Sequence, residues 1–163
     1  GGEAFVIGAS RVSGVRPTVS KPFTIDLEAV GVTGFIKASV FMEGFHEPAL
    51  ALLYEPIQTC PGRLASMRST CRLLVLSLNL IQGRAPVIWR VSDLPHDSWD
   101  LVAVPDPIGG IQVISTNAVI HVNDSEVLSI LAVNGYARAT VEDALLGCPL
   151  RASADDWDWA SFR

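Results

Sequence analysis

Short apolar runs separated by turn residues recur along most of this chain of 163 residues, and they constrain its fold more than any other feature. The clearest run is Cys71 to Leu80, in which every second residue from Leu74 to Leu80 is leucine. A period of two places these side chains on one face of a β-strand, whereas a helix repeats about every 3.6 residues. We therefore expect a chain built mainly from short strands.

Strands are predicted wherever apolar residues alternate or run continuously between Gly, Pro, Asn or Asp residues. The main predicted strands are residues 35–42, 48–54, 71–80, 85–91, 98–104, 111–115 and 118–122. Two shorter ones are predicted from Ala4 to Ile7 and from Phe23 to Leu27. One short helix is predicted from Val141 to Leu146, with Thr140 as its candidate N-cap.

Many short strands with almost no helix are typical of a sandwich, a barrel or a propeller, and periodicity leaves all three open. A propeller blade takes roughly 40 to 50 residues, so a propeller made from this chain would have about three blades. Three blades cannot close a ring of the usual size, roughly four to eight blades. If the chain is a propeller segment, we expect its blades in residues 23–135. A flexible or peripheral segment is expected in residues 1–22, and a connector with a short helix and a Trp-rich end in residues 136–163.

The composition predicts a folded domain with covered apolar surface. Hydrophobic residues make up 49% of the chain and charged residues only 18%, which indicates that another chain or further blades cover part of the surface. The net charge of −5 argues against a domain that binds nucleic acid through charge alone, because phosphate binding needs clustered Lys and Arg.

One stretch, residues 56–92, contains no Asp or Glu but five arginines, namely Arg63, Arg68, Arg72, Arg84 and Arg90. We favour the interpretation that these are outward-facing side chains that meet acidic neighbours. The alternative is a docking patch for an acidic partner or an RNA backbone.

Motifs of catalysis are missing from the sequence. Gly8 to Val12 lacks the final glycine of a nucleophile elbow, and no phosphate loop or dinucleotide fingerprint occurs. The three histidines are isolated, and Cys60, Cys71 and Cys148 lack zinc-ligand spacing and are expected to be reduced thiols. The acidic residues around Trp157 and Trp159 are expected to form a solvated turn. We expect no enzymatic activity, no cofactor and no metal.

Five separated motifs follow one another in a fixed order between Ile36 and Ser125. They are Glu47-Pro48 to Tyr54-Glu55-Pro56, Pro61-Gly62-Arg63, Pro86 to Trp89, Leu94-Pro95-His96-Asp97, and Val104 to Gly110 followed by Asn117 and His121-Val122-Asn123. In this order they resemble the first β-propeller of the large, propeller-built subunit of the cleavage and polyadenylation specificity factor. The large subunit of the damaged-DNA-binding complex and the propeller subunit of splicing factor 3b resemble the chain less well. Two departures from the first family are Cys60, where an aromatic residue is frequent, and Asp124, where a glutamine is frequent.

The resemblance implies a WD40-like all-β propeller segment that acts as a non-catalytic scaffold in mRNA 3′-end processing in the nucleus. Its implied partners are a WD-repeat subunit and a zinc-finger subunit that read the polyadenylation signal, so that contact with RNA is indirect. The alternatives are an adaptor in a ubiquitin ligase or spliceosomal complex, or a propeller that binds RNA or DNA directly. No small-molecule substrate and no membrane are implied.

The motif residues are expected to be structural. They are Glu47, Pro48, Tyr54, Pro61, Gly62, Arg63, Trp89, Leu94, Pro95, Pro105, Pro107, Gly109, Gly110 and Asn123. The prolines stiffen the chain and remove backbone donors, and the Gly109-Gly110 pair permits a sharp turn. Trp89 and Trp99 are expected to be buried between blades, with the Trp89 indole N–H bonded to a backbone carbonyl.

Overall fold

A computed structural model describes residues 3–6, 9–10, 18–19 and 22–141 of the chain. Within these ranges the protein is almost entirely β-structure, as predicted. The strands are β1 (Glu3–Val6), β2 (Ala9–Ser10), β3 (Thr18–Val19), β4 (Phe23–Asp26), β5 (Phe35–Met42), β6 (Ala49–Glu55), β7 (Cys71–Ser77), β8 (Val87–Leu94), β9 (Ser98–Ala103), β10 (Ile111–Ser115), β11 (Ala118–Asn123) and β12 (Glu126–Ala132). One 3₁₀ turn (Pro61–Arg63) and one helical turn, α1 (Ala137–Thr140), complete the elements.

Two four-stranded antiparallel sheets form the body of the protein. The first sheet has the order β5-β6-β7-β8 and the second has the order β9-β10-β11-β12, each strand lying next to its neighbour in sequence. Residues 95–97 lead from the last strand of the first sheet to the first strand of the second, and β5 contacts β9. This is the arrangement of two consecutive propeller blades, and the ring is not closed.

The described residues form two blade-like sheets, where about three blades were expected. The expected number of blades came from dividing the length of the whole chain by the length of one blade. Strands β1 to β4, however, form two-stranded pairs, β1 with β4 and β2 with β3, and residues 142–163 lie outside the described ranges.

The main core lies between the two sheets. Alternate residues of each strand point into it, because successive side chains of a strand face opposite sides. The first sheet contributes Leu53, Leu73 and Trp89, and the second contributes Ile120 and Val122. Trp89 is only 6% exposed, as predicted.

A second core covers the opposite face of the first sheet. Leu50, Leu52 and Leu74 pack there against Ile25 and Leu27, which come from the segment that precedes β5. Strands β6 and β7 are therefore buried on both faces. This explains why their sequences are nearly continuous apolar runs, in contrast to the alternation of a half-exposed strand.

The segment from Pro105 to Gly110 forms a compact turn between β9 and β10. The Asp106-Pro107 peptide bond is cis, and Gly110 has a φ of 84°. A Cβ at Gly110 would lie 2.5 Å from the carbonyl oxygen of Val122. Glycine is therefore required here both by backbone conformation and by the close approach of β11.

The structure corrects several details of the sequence-based prediction. Strand β7 ends at Ser77, three residues earlier than expected, because the chain then enters a turn in which Asn79 bridges to Arg84. Strand β12 was not predicted, although the turn at Asp124 and Ser125 followed by an apolar run gives a signal for it. Val141, the predicted first residue of a helix, is extended, and most of that predicted helix lies outside the described residues, as does the Trp-rich end.

Trp99 is not buried between the blades. Its side chain is 57% exposed, because it occupies a bulge in β9: Ser98 pairs with Ser115 and Asp100 pairs with Ile114, which leaves Trp99 without a partner in β10. A bulge adds one residue and redirects its side chain away from the regular alternation. Residue counting along the strand could not show this.

Candidate functional site

Two β-bulges lie close together at one end of the adjacent strands β5 and β9. In β5, Ile36 pairs with Tyr54 and Ala38 pairs with Leu53, so Lys37 is the bulged residue. In β9 the bulged residue is Trp99. Since bulges redirect side chains, Lys37 turns inward, whereas Trp99 turns outward.

Lys37 is the centre of a polar network that joins four elements. Its ammonium contacts Glu55 Oε2 on β6 at 3.2 Å and Cys71 Sγ on β7 at 3.2 Å. It also donates to the backbone carbonyl of His96 at 2.5 Å, in the connection between the two sheets. Thr70 donates to the second carboxylate oxygen of Glu55. This network fixes the position of the inter-sheet connection relative to the first sheet.

The pKa shifts in the network show which charges it holds. Burial raises the pKa of the Glu55 carboxyl, but hydrogen bonds from Thr70, Lys37 and the Thr59 backbone outweigh this effect, and the net pKa lies below its ordinary value. Burial is also the main reason why the pKa of the Cys71 thiol is raised, despite the neighbouring ammonium. Glu55 is therefore an anion paired with Lys37, and Cys71 is a neutral thiol without nucleophilic character.

A groove of about 460 Å³ opens beside this network. Phe35 and Trp99 stand in its wall with exposed fractions of 55% and 57%. Its lining residues are Phe35, Lys37, His96, Asp97, Ser98, Trp99 and Thr116. Two large exposed aromatic rings beside polar side chains are typical of a surface that binds another molecule.

Among the predicted motif residues, Glu47 and Asn123 hold turns at the opposite end of the sheets. Glu47 accepts hydrogen bonds from Ser77 Oγ at 2.6 Å and Asn79 Nδ2 at 2.8 Å, and so ties the β5–β6 turn to the end of β7. Asn123 lies against the Gly109-Gly110 pair.

The other motif residues lie partly in the interior and partly in exposed turns. Tyr54, Leu94 and Pro95 are buried, and the Tyr54 hydroxyl donates to the carbonyl of Gly31 at 3.4 Å. The carbonyl of Pro48 accepts from Leu78 N at 2.8 Å. Pro61, Gly62 and Arg63 form the exposed 3₁₀ turn, and Pro105 and Pro107 are exposed within their turn. The indole N–H of Trp89 makes no hydrogen bond within the described part of the chain, contrary to expectation.

The five arginines of the basic stretch do not form one patch. Arg63 and Arg68 lie in the β6–β7 connection, and Arg72 is at the start of β7. Arg84 lies beyond the other end of β7, about 20 Å away at roughly 3.3 Å per residue. All five are exposed, Arg90 included. That these arginines meet acidic neighbours stays a prediction.

The described residues contain no group of three or more metal-ligating side chains. No described helix has the length and apolar character needed to cross a membrane. The histidines remain separate: His96 contacts the carbonyl of Arg68 through Nδ1, whereas His121 lies on β11.

Sequence reasoning missed the groove. Phe35, Lys37 and Trp99 come from two strands whose starts are more than 60 residues apart, and none of them belongs to a motif. The sequence contains only two weak indications of this groove. Trp99 follows the Leu94-to-Asp97 turn directly, and Lys37 is a charged residue inside an apolar strand.

The chain is similar in sequence to several known proteins that share one name. It is 46% identical over 85 residues to cleavage and polyadenylation specificity factor subunit 1 of Drosophila melanogaster, covering 52% of this chain and 6% of the relative. The Arabidopsis thaliana protein of the same name is 41% identical over 102 residues, covering 63% and 7%. The probable subunit 1 of Oryza sativa subsp. japonica is 33% identical over 144 residues, covering 83% and 10%.

No family model matches the chain. The chain spans at most a tenth of the length of the three relatives named above. Within that span, similarity to proteins from an insect and two plants agrees with the collinear motifs and with the two blade-like sheets. The chain belongs to the family of cleavage and polyadenylation specificity factor subunit 1.

Proposed function

We propose that this chain is a non-catalytic propeller segment of a scaffold that acts in mRNA 3′-end cleavage and polyadenylation. The observation that carries the proposal is its similarity to proteins named cleavage and polyadenylation specificity factor subunit 1, together with two consecutive blade-like sheets. A propeller presents rigid surfaces to several partners at once, which suits a scaffold.

An uncovered sheet face supports a role inside a larger assembly. The first sheet is covered on both faces, whereas the outer face of the second sheet carries Val102 and Leu131, which are 45% and 41% exposed. Ile114 and Val119 lie between them on paired strands and are only partly buried. Further blades of the same protein, or a partner chain, would cover this face and extend the sheet beyond β12, its outer strand.

The partners we propose are a WD-repeat subunit and a zinc-finger subunit of the processing complex, with the chain acting in the nucleus. RNA is then contacted mainly through these partners. This division of labour agrees with the net charge of −5 and with the separation of Arg84 from Arg63, Arg68 and Arg72.

The test is affinity purification of the tagged 163-residue chain from nuclear extract, followed by mass spectrometry. We expect subunits of the 3′-end processing complex, and we expect a Trp89→Ala variant with a damaged blade interface to lose them. Arg84→Ala serves as a matched surface control. Recovery of cullin-ligase or spliceosomal components in their place would overturn the proposal in favour of an adaptor role.

Direct RNA binding is tested separately with fluorescently labelled RNA that carries the polyadenylation signal. We expect weak binding that disappears as salt is raised, since few phosphates can be neutralised. Sub-micromolar binding by this chain alone at physiological salt would contradict the proposed division of labour.

A further inference from the structure

The groove between Phe35 and Trp99 combines exposed aromatic faces with an acidic side chain. Asp97 lies in its lining and accepts a hydrogen bond from Asn117 Nδ2 through Oδ2 at 3.2 Å. Its other oxygen, Oδ1, is buried and has no hydrogen-bond partner in the part of the chain that the structure describes. The carboxylate is thus only partly satisfied by the protein itself.

Within the described ranges, no basic side chain of the groove lining pairs with Asp97. Lys37, the one basic side chain in the lining other than histidine, is already paired with Glu55 at 3.2 Å. His96 directs Nδ1 to the Arg68 carbonyl at 3.1 Å. Because Asp97 is half-buried, its field is screened less than that of a carboxylate in open water.

Aromatic faces attract cations, and the attraction is strongest for indole. Trp99 owes its outward direction to the bulge in β9, and the inter-sheet connection that bears Asp97 is fixed by Lys37. The backbone that carries the ring and the carboxylate is therefore held in place before any ligand arrives, which reduces the entropy lost on binding.

The geometry points to this groove as a docking site for a protein partner that presents an arginine or lysine side chain, with the cation stacked on Trp99 and attracted by Asp97. A nucleic acid is disfavoured, because its phosphates would approach the same carboxylate. The inference rests on the proposed scaffold role only in taking the partner to be a protein.

The experiment uses the 163-residue chain labelled with ¹⁵N at tryptophan, and the Trp99 indole resonance is assigned by its loss in Trp99→Phe. The probe is the peptide acetyl-Gly-Arg-Gly-amide, compared with the same peptide carrying uncharged citrulline. We expect saturable shifts of the Trp99 resonance with the arginine peptide and none with citrulline. Trp99→Ala, labelled uniformly with ¹⁵N and followed through backbone resonances of the groove, should weaken binding about fivefold, and Asp97→Asn about threefold.

Phe41→Ala is the matched control, since Phe41 is an exposed aromatic residue on the same strand as Phe35 but at its other end. It should bind as the unaltered protein does. Equal binding of both peptides, or unchanged affinity in Asp97→Asn, would overturn the inference. So would a short single-stranded RNA that shifts the Trp99 resonance while the arginine peptide does not. If Trp99→Ala alters the melting temperature, the citrulline comparison on the unaltered protein decides the matter. None of these outcomes bears on recovery of the processing complex.

Discussion

The ammonium of Lys37 lies 3.2 Å from Glu55 Oε2 and joins the first strand of the first sheet to the second. Glu55 is 5% exposed, so its charge is compensated almost entirely by the protein. Removing one partner of such a buried pair leaves an uncompensated charge, which costs more than the pair itself contributes.

Lys37→Met should therefore lower the free energy of unfolding by about 3 kcal/mol, measured by urea denaturation. The double variant Lys37→Met with Glu55→Gln should recover part of the loss, because it removes the stranded charge. A single variant as stable as the unaltered protein would show that the pair is not buried as described.

Stability should fall on the acid side of pH 5 in a way that depends on Glu55. The folded-state pKa of Glu55 is lowered from its ordinary value of 4.5, so its contribution is present above that value and is lost as the pH falls through the folded-state pKa. Glu55→Gln should be less stable at neutral pH but should show a flatter decline as the pH falls below the ordinary carboxyl value of 4.5. Parallel pH profiles for the two proteins would contradict the lowered pKa.

Cys60 and Cys71 should differ in reactivity towards a maleimide at neutral pH. Cys60 is exposed, whereas Cys71 is fully buried, and burial raises the pKa of its thiol. Since the thiolate is the reactive form, Cys71 should remain unmodified until the protein is unfolded. Peptide mapping by mass spectrometry measures both sites in one sample, and equal labelling of the native protein would refute the burial of Cys71.

Trp89→Ala should destabilise the protein by roughly 3 to 5 kcal/mol, since Trp89 fills the core between the two sheets. Trp99→Ala provides the matched control, because it removes the same side chain from an exposed position and should change stability little. Arg68→Ala should also have little effect, because Arg68 contacts His96 through its backbone carbonyl. Thermal melts of the three variants test whether Trp89 is buried while Trp99 and Arg68 are exposed. A Trp89 variant that melts like the unaltered protein would reverse it.

Gly110→Ala should cost at least about 1 to 3 kcal/mol, because alanine at a φ of 84° is strained. The added methyl group would also meet the Val122 carbonyl. Gly62→Ala is the control, since a Cβ there meets no atom within 4 Å. Equal melting temperatures for the two variants would show that the turn can relax, in which case the glycine is not required.

The local pattern of the sequence determined most of the strands and the turns between them, although β12 was not predicted. The alternation from Leu74 to Leu80 fixed which leucines share a face, because strand geometry alone sets that period. Glycine and proline marked the turn from Pro105 to Gly110, because their restrictions act on the backbone at their own positions. The buried position of Trp89 also followed from its place in an apolar strand.

Only the tertiary structure decided what lies in the groove. A bulge depends on how two strands pair, so neither the outward turn of Trp99 nor the inward turn of Lys37 could be read from its own strand. The Lys37–Glu55–Cys71 contact joins three strands whose residues are up to 34 positions apart, and it required the register of the first sheet. Hydrophobic periodicity fixes the face on which a side chain lies, but pairing between strands fixes what it meets there.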